Sequence, residues 1–564
     1  MRRMPVLALI ALVGCLIASV GSTAVAKDRR PAAKEIPAGP ARNLLNGALG
    51  KGSASAGQSA SVRGDFNSDG KNDLAVGVPL EDVGAVSNAG AVNVIYGSAT
   101  GLKAAGNDFW TENDLVAVGD GAQAGDNFGG SLAAGDFDGD GFTDLAIGIP
   151  GETVGASSGA GAVAVLYGTA SGLTTAGNQF FTEADLTSSD GAESGDSFGA
   201  SLAAANFGKS ARSDLAIGIP FEDIEVTPTI NGAGAVGILY GASTGLVTGG
   251  NQFITQADQF VEGTANDFDE FGVSLAGANF GRSSQADLAV GVPDDSVGAA
   301  ERAGSVQVFY GTNQGLTVFG DQLWTQNSDG IKGVSEDTDL FGIAVAGANF
   351  GKSAQADLAI GVPLQDAGST GAAGAVNVIY GGPGGLSAAG NQLWTQNSPN
   401  IKDRSEFLDL FGISLASGDF GKSTHADLAI GSALDGIGGA AQAGGVNVLY
   451  GSSSGLNATG NQFWTQNSPG IADSSEAQDA FGVSLTAGNY GKGSRDDLTV
   501  GVPGEDVGVG PVLNAGAVNV IYGTSTGLSS TGDQFWNQDS AGILDSAETG
   551  DEFSSSLGAV NLTV

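Results

Sequence analysis

The sequence predicts an all-β fold, a seven-bladed β-propeller with four antiparallel strands in each blade, on three observations. One motif recurs along the chain, each copy carries four short apolar segments, and almost nothing has helical periodicity. Aligned on "SLAAGDF", the copies place equivalent residues at Asp65, Asp136, Asn206, Asn279, Asn349, Asp419, Asn489 and Asn561, at intervals of 70 to 73 residues.

Within each unit the order is fixed. "FG.SLA.G[DN]F" supplies the first strand, whose Gly and Ala let the innermost strands crowd around a central channel. A loop ending in Asp leads to the second strand, "DLAIG.P", and an acidic loop leads to the third, "GAV.V.YG". After "GL" an aromatic stretch such as "NQFWTQ" forms the fourth. Val, Ile, Leu and Tyr in segments of roughly five to seven residues between glycines favour strands over helices, which usually need ten or more. Radial repetition then leaves only short sheet edges exposed. A solenoid is disfavoured, because its coils are normally much shorter than this repeat. The last copy, "DEFSSSLGAVNLTV" at 551–564, has a first strand and nothing behind it, while the first unit begins weakly at "GQSASVRGD". Residues 554–562 are therefore expected to pair beside the first unit and close the ring.

The N-terminus reads as an export signal. "MRR" precedes an apolar run from Pro5 to Val20, and Ala24 and Ala26 stand before a cleavage point after Ala26. The expected organisation is a signal peptide at 1–26, a flexible linker at 27–57 and the propeller at 58–564. "LVGC" ending at Cys15 resembles a lipoprotein box, but further apolar residues follow it, so secretion or surface display is expected rather than anchoring at Cys15. Cleavage removes the one cysteine, which leaves no disulfide or thiol chemistry. No later segment is long and apolar enough to span a bilayer.

Charge narrows the function classes. Residues 1–51 hold 8 of the 22 Lys and Arg and 2 of the 61 acids, leaving 14 basic and 59 acidic residues in the remainder, a net charge of −45. Such a body repels phosphate backbones and anionic lipid, which argues against nucleic-acid and peripheral membrane partners and for cationic ones.

The unit "DNFGGSLAAGDFDGDGFTDLAIGIPGE" at 126–152, with its Phe-Gly start and Gly-Ile-Pro finish, resembles the FG-GAP repeat of integrin alpha-subunit propellers and related bacterial secreted proteins. The resemblance covers residues 58–564. It implies a seven-bladed propeller, calcium in loops joining the first two strands of some blades, and a role in adhesion or ligand recognition. Integrin-type signalling is not implied, since the leg domains, transmembrane helix and cytoplasmic tail of an integrin alpha-subunit have no counterpart here.

The chain serves as its own control for the metal loops. "DFNSDGKND" and "DFDGDGFTD" place oxygen donors at positions 1, 3, 5 and 9, whereas the other five loops carry glycine at position 3 and serine or glycine at position 5. Asx at position 1 and Asp at position 9 persist in all seven, where they can satisfy backbone donors without an ion. Carboxylates at alternate positions repel one another unless a hard cation with several oxygen ligands holds them. Two calcium sites are therefore expected. The first uses Asp65, Asn67, Asp69 and Asp73 with the carbonyl of Lys71, and the second uses Asp136, Asp138, Asp140 and Asp144 with the carbonyl of Phe142. In the other five loops Lys209, Arg282, Lys352, Lys422 and Lys492 stand at position 4, either folded over the hairpin in place of an ion or solvated.

Two further acidic sets recur. Asp126, Asp196, Glu270, Asp339, Asp409, Asp479 and Glu552 precede or adjoin the Phe-Gly, and Glu81, Asp82, Glu152, Glu222, Asp223, Asp295, Asp366, Glu505 and Asp506 follow strand two. They read as hairpin and solubility residues, or as a negative face for basic partners. Trp110, Phe181, Trp324, Trp394, Trp464 and Trp536 read as interblade packing before sugar stacking. His425, the single histidine, lies in a glycine-type loop, which leaves little basis for a Ser-His-Asp triad or a histidine metal centre. The expected function is thus a secreted, monomeric, non-catalytic calcium-binding scaffold that recognises an extracellular protein or glycan. The alternative is a carboxylate-dependent, glycosidase-like hydrolase on a propeller.

Overall fold

The computed structural model describes residues 64–115, 121–187, 191–508 and 510–558. The expected signal peptide, the linker, Cys15 and positions 559–562 of the closing strand lie outside the described residues. What is described is all-β, with seven four-stranded antiparallel sheets arranged as blades. In blade 2 the strands Ser131–Gly135, Asp144–Ile149, Ala162–Tyr167 and Thr174–Phe181 pair in that order from the centre outward. The loops joining strands one to two and three to four therefore share one face, here the lower. Those joining strands two to three, and each blade to the next, share the upper.

Burial follows from stacking. The innermost strand of blade 2, "SLAAG", is buried throughout, and its small side chains let neighbouring blades approach. The next two strands are buried on both faces, while the outer one is partly exposed. The two faces feed separate cores. Leu145, Ile147 and Ile149 pack with Val92 and Val94 of blade 1. Ala146, Val163 and Val165 pack with Leu215, Ile217 and Ile219 of blade 3. Each fully buried aliphatic side chain contributes about 1.5–3 kcal/mol, so the energy resides between blades as much as within them.

The Phe-Gly motif builds the upper joint. Phe128, Phe198, Phe271, Phe341, Phe411, Phe481 and Phe553 are fully buried. Each donates its N–H across to the preceding blade, at the carbonyls of Ala89, Ala160, Ala233, Ala303, Ala373, Ala443 and Ala515, over 2.8–3.0 Å. In six of these joints a glycine follows: at Gly129, φ is +89° and a Cβ would lie 2.6 Å from the carbonyl oxygen of Ala91, whereas after Phe553 it is Ser554 that takes a φ of +85°. First-strand serines add a second tie, as when Ser131 Oγ donates to the Gly199 carbonyl at 2.6 Å.

On the lower face a second ring of bonds links the nine-residue loops. The position-8 N–H groups of Asn72, Thr143, Ser213, Ala286, Ala356, Ala426 and Asp496 donate to the position-1 carbonyls of Asn489, Asp65, Asp136, Asn206, Asn279, Asn349 and Asp419 in the preceding blades.

Blade 1 is composite. Its strands Leu74–Val78, Ala91–Tyr96 and Lys103–Trp110 take Ser556–Gly558 as their innermost member, paired antiparallel from Gly558 opposite Ala75 to Ser556 opposite Gly77. Phe553 docks on Ala515 of blade 7 at 2.9 Å, and Ser556 Oγ reaches the Gly129 carbonyl of blade 2 at 2.5 Å. The C-terminal stretch thus touches three blades. Deleting residues 551–564 is expected to lower the melting temperature clearly and increase aggregation, measured by calorimetry and light scattering; an unchanged melt would show that the ring does not depend on this strand.

Candidate metal loops and acidic blade joints

Position 9 of each loop is a fixed structural element. Asp73, Asp144, Asp214, Asp287, Asp357, Asp427 and Asp497 are fully buried. Their Oδ1 atoms accept the N–H of the glycine ending strand three, over 2.8–2.9 Å, in every blade. In six blades Oδ2 also accepts the position-2 N–H of the same loop. One side chain thereby pins the strand one-to-two loop to the end of strand three.

Position 1 separates two loop classes. In the glycine-type loops Asn206, Asn279, Asn349, Asp419 and Asn489 accept the position-3 N–H, at 2.9–3.2 Å. There a position-3 side chain has no room: a Cβ on Gly208 would lie 1.9 Å from the Thr312 carbonyl oxygen. In the other two loops the position-1 carboxylate reaches further. Asp65 accepts from Asp69 N and Gly70 N at 2.9 and 2.7 Å, and Asp136 from Gly139 N and Gly141 N at 2.6 and 3.2 Å.

The wider turn draws acids together. Asp136, Asp138 and Asp144 each present an oxygen within 4.8 Å of the others. Asp140 stands outside that triple and is exposed, its Oδ1 accepting Phe142 N–H at 2.9 Å. Loop 1 repeats the hydrogen bonds of this turn: Asn67 Oδ1 accepts Asp69 N–H at 3.0 Å, and Asp69 Oδ1 accepts Lys71 N–H at 2.9 Å. Burial raises the pKa of Asp65, Asp136 and Asp138, and neighbouring acids add to it. Burial likewise pushes Asp73 and Asp144 up to about 8. These groups lack a counter-charge matched to their number, and an all-oxygen donor set of this kind fits a hard cation such as calcium.

The position-4 cations of the other loops stay exposed to solvent, but each lies over a tyrosine ring of its own blade. Lys209, Arg282, Lys352, Lys422 and Lys492 lie 3.5–3.7 Å from the ring centroids of Tyr240, Tyr310, Tyr380, Tyr450 and Tyr522. Each also donates to an outer-strand carbonyl, of Gly250, Gly320, Gly390, Gly460 and Gly532. His425 N–H donates to Ser423 Oγ within its loop.

The upper joints correct the reading of the other acids. Asp126, Asp196, Asp339, Asp409, Asp479, Glu81, Glu152, Glu222 and Glu505 are buried rather than displayed. Part of the expectation survives as hairpin chemistry: Asp269 Oδ2 accepts Asn266 N–H at 2.7 Å and Asp339 Oδ2 accepts Glu336 N–H at 2.8 Å. Two joints gather three buried acids each, Glu112 with Asp126 and Glu152, and Glu183 with Asp196 and Glu222, their oxygens within 4.8 Å. Glu112 and Glu183 were not singled out from the sequence. The signal was there: "WTE" and "FTE" replace the "TQ" found after the outer strand of every other blade, "WNQ" in the last. Where glutamine stands, its amide bridges the joint, as Gln326 does to Gln365 Oε1 at 3.1 Å, and Gln466 to Glu505 Oε2 and Gln538 to Glu81 Oε2 at 2.6 Å each. Trp324 and Trp464 pack into interblade cores, in line with packing before sugar stacking.

The family model of the FG-GAP repeat matches residues 56–95 and 128–166, the two stretches that contain these wider loops. Phosphatidylinositol-glycan-specific phospholipase D of Rattus norvegicus is 37% identical over 108 residues, 19% of this chain and 13% of that protein. Its Homo sapiens counterpart is 31% identical over 163 residues, 29% of this chain and 18% of the relative. Integrin alpha-PS5 of Drosophila melanogaster is 42% identical over 96 residues, 17% of this chain and 9% of the integrin. The chain thus spans less than a fifth of the length of these curated relatives.

Blade 7 yields a pH prediction. Burial first, then the facing Asp473, pushes Glu505 from the ordinary 4.5 up to about 9, against the Gln466 amide. The folded state therefore keeps a proton that the unfolded chain releases, and this group's contribution to stability is full below pH 4.5 and lost as pH rises towards 9. Blade 5 has Gly333 and Gln365 at the equivalent positions. Asp473→Gly with Glu505→Gln, which copies them, is expected to reduce the fall in melting temperature between pH 5 and 9; a fall as steep as wild type would refute the assignment.

Proposed function

We propose that the chain is a secreted, calcium-binding recognition scaffold, with ions held by Asp65, Asn67, Asp69, Asp73 and the Lys71 carbonyl in one loop. The second ion is held by Asp136, Asp138, Asp140, Asp144 and the Phe142 carbonyl. The observation that carries this reading is the gathering of Asp136, Asp138 and Asp144 in a wide turn that glycine-type loops cannot form. Calcium would draw together and neutralise side chains that otherwise repel, fixing the lower edges of blades 1 and 2. The export signal at 1–26 supports delivery to a calcium-rich exterior. The acidic body and the likeness to an integrin alpha-subunit favour an extracellular protein or glycan as ligand, met by a monomer.

A hydrolase reading draws on the phospholipase D relatives and on paired carboxylates with raised pKa values. It is the weaker of the two, because the pairs are sealed within joints: Glu81 and Glu505 are 3% and 2% exposed. A substrate bond cannot approach them without parting two blades.

Ions bound only in the folded state raise the melting temperature by mass action. Millimolar calcium is expected to raise it over excess chelator in calorimetry, and no shift would refute a stabilising role for the loops. Native mass spectrometry should count two ions on the wild type, one on Asp138→Ala with Asp140→Ala, and two on Ser210→Ala, where the change falls in a glycine-type loop. A glycan and protein array probed with and without calcium tests recognition; ligand-independent cleavage of a glycan would favour the hydrolase.

A further inference from the structure

We propose that Arg212 of blade 3 is the built-in counter-ion of the second metal loop, offsetting its fourth carboxylate and holding its calcium affinity below what four carboxylates would give. This rests on the calcium reading above. Arg212 reaches back across the lower joint, where its Nε donates to the Asp138 carbonyl at 2.7 Å. The adjacent Ser213 N–H donates to the Asp136 carbonyl at 3.0 Å. The arginine stem fills the space beside Gly139, where a Cβ would meet Nε, Cγ and Cδ at 2.6, 3.0 and 3.2 Å. Two consecutive residues of one blade therefore straddle the loop of the one before.

The repeats supply the control. Position 7 is occupied in turn by Lys71, Phe142, Arg212, Gln285, Gln355, His425 and Arg495. Arginine stands there twice, and each time the preceding loop carries a carboxylate that its counterparts lack. Asp138 is the one acid at position 3 of any loop, and Asp419 is the one acid at position 1 among the five glycine-type loops. In the second case the pairing is explicit: Arg495 forms an ion pair with Asp419 Oδ2 and donates to the Ser423 carbonyl at 2.7 Å. Loop 1 has Asn67 in place of that acid and is followed by the neutral Phe142. Loop 1 thus carries three carboxylates and loop 2 four, with the Arg212 guanidinium set against the fourth.

Arg212 is a positioning and affinity-setting residue rather than a ligand, so the test must separate charge from hydrogen bonding. Asn67→Ala with Asp69→Ala empties loop 1 and leaves a one-site protein for calcium titration by calorimetry. In that background Arg212→Gln, neutral but still able to donate to the Asp138 carbonyl, is expected to tighten calcium binding on the order of tenfold at low salt, because a like charge beside the ion is removed. The gain should shrink as salt screens it. Arg212→Lys should bind within a factor of about two of the parent, because charge and not the guanidinium plane sets the affinity. Unchanged or weaker binding by Arg212→Gln would overturn the proposal while leaving the calcium reading intact. If the parent itself binds no calcium although it folds, the calcium reading fails and this inference fails with it.

Discussion

Each blade is finished by its neighbour, and the rest of the molecule depends on that joint. The Phe-Gly phenylalanine is driven under the preceding blade by burial of its ring, and its N–H replaces a water-bound donor with the alanine carbonyl that the same insertion buries. No single sheet of four short strands could hide both its faces. Seven of them in a ring can, because each face is another blade's floor.

This arrangement frees the connecting loops from the task of stability. The position-9 aspartate fixes where each lower loop begins and ends, so the residues between are free to differ. Two loops use the space for a wide acidic turn, and five fold tightly and send a cation onto a tyrosine. Lys209, held over the Tyr240 ring, keeps its charge near the buried Asp214 of the same hairpin. The second wide loop instead meets a cation of the next blade, Arg212, at the Asp138 carbonyl.

Strand number, blade number and the two loop classes were legible in the sequence because each is a local pattern repeated often enough to expose its exceptions. Closure by the terminal motif was legible as a half-unit without a partner, and Ser556 opposite Gly77 is where that half-unit lies. What was not legible came from contacts between blades. Glu152 and Glu222 have the composition of a solvent-facing turn, and only the adjacent blade's approach puts them inside. The lysine-tyrosine contacts were hidden for a different reason: Tyr96 and Tyr167 occur in the wide-loop blades as well, so tyrosine does not covary with the position-4 cation. Glutamate for glutamine at Glu112 and Glu183 was visible as an exception, but the pattern had meaning only once Gln326 was seen to bridge its joint.

Blade 1 is the one described sheet assembled from both ends of the chain, with Ser556–Gly558 seated beside Leu74–Val78. Everywhere else a departing strand remains tethered to its neighbour by a few residues of loop; here the tether is the whole circumference. The barrier to opening is therefore lowest at this seam, and the lifetime of the ring, more than its equilibrium stability, is decided there. Both wide acidic loops belong to blades 1 and 2, which flank the seam. Their position makes them a clasp on a bracelet, able to govern how long the ring stays closed without altering any of the five blades that complete the band.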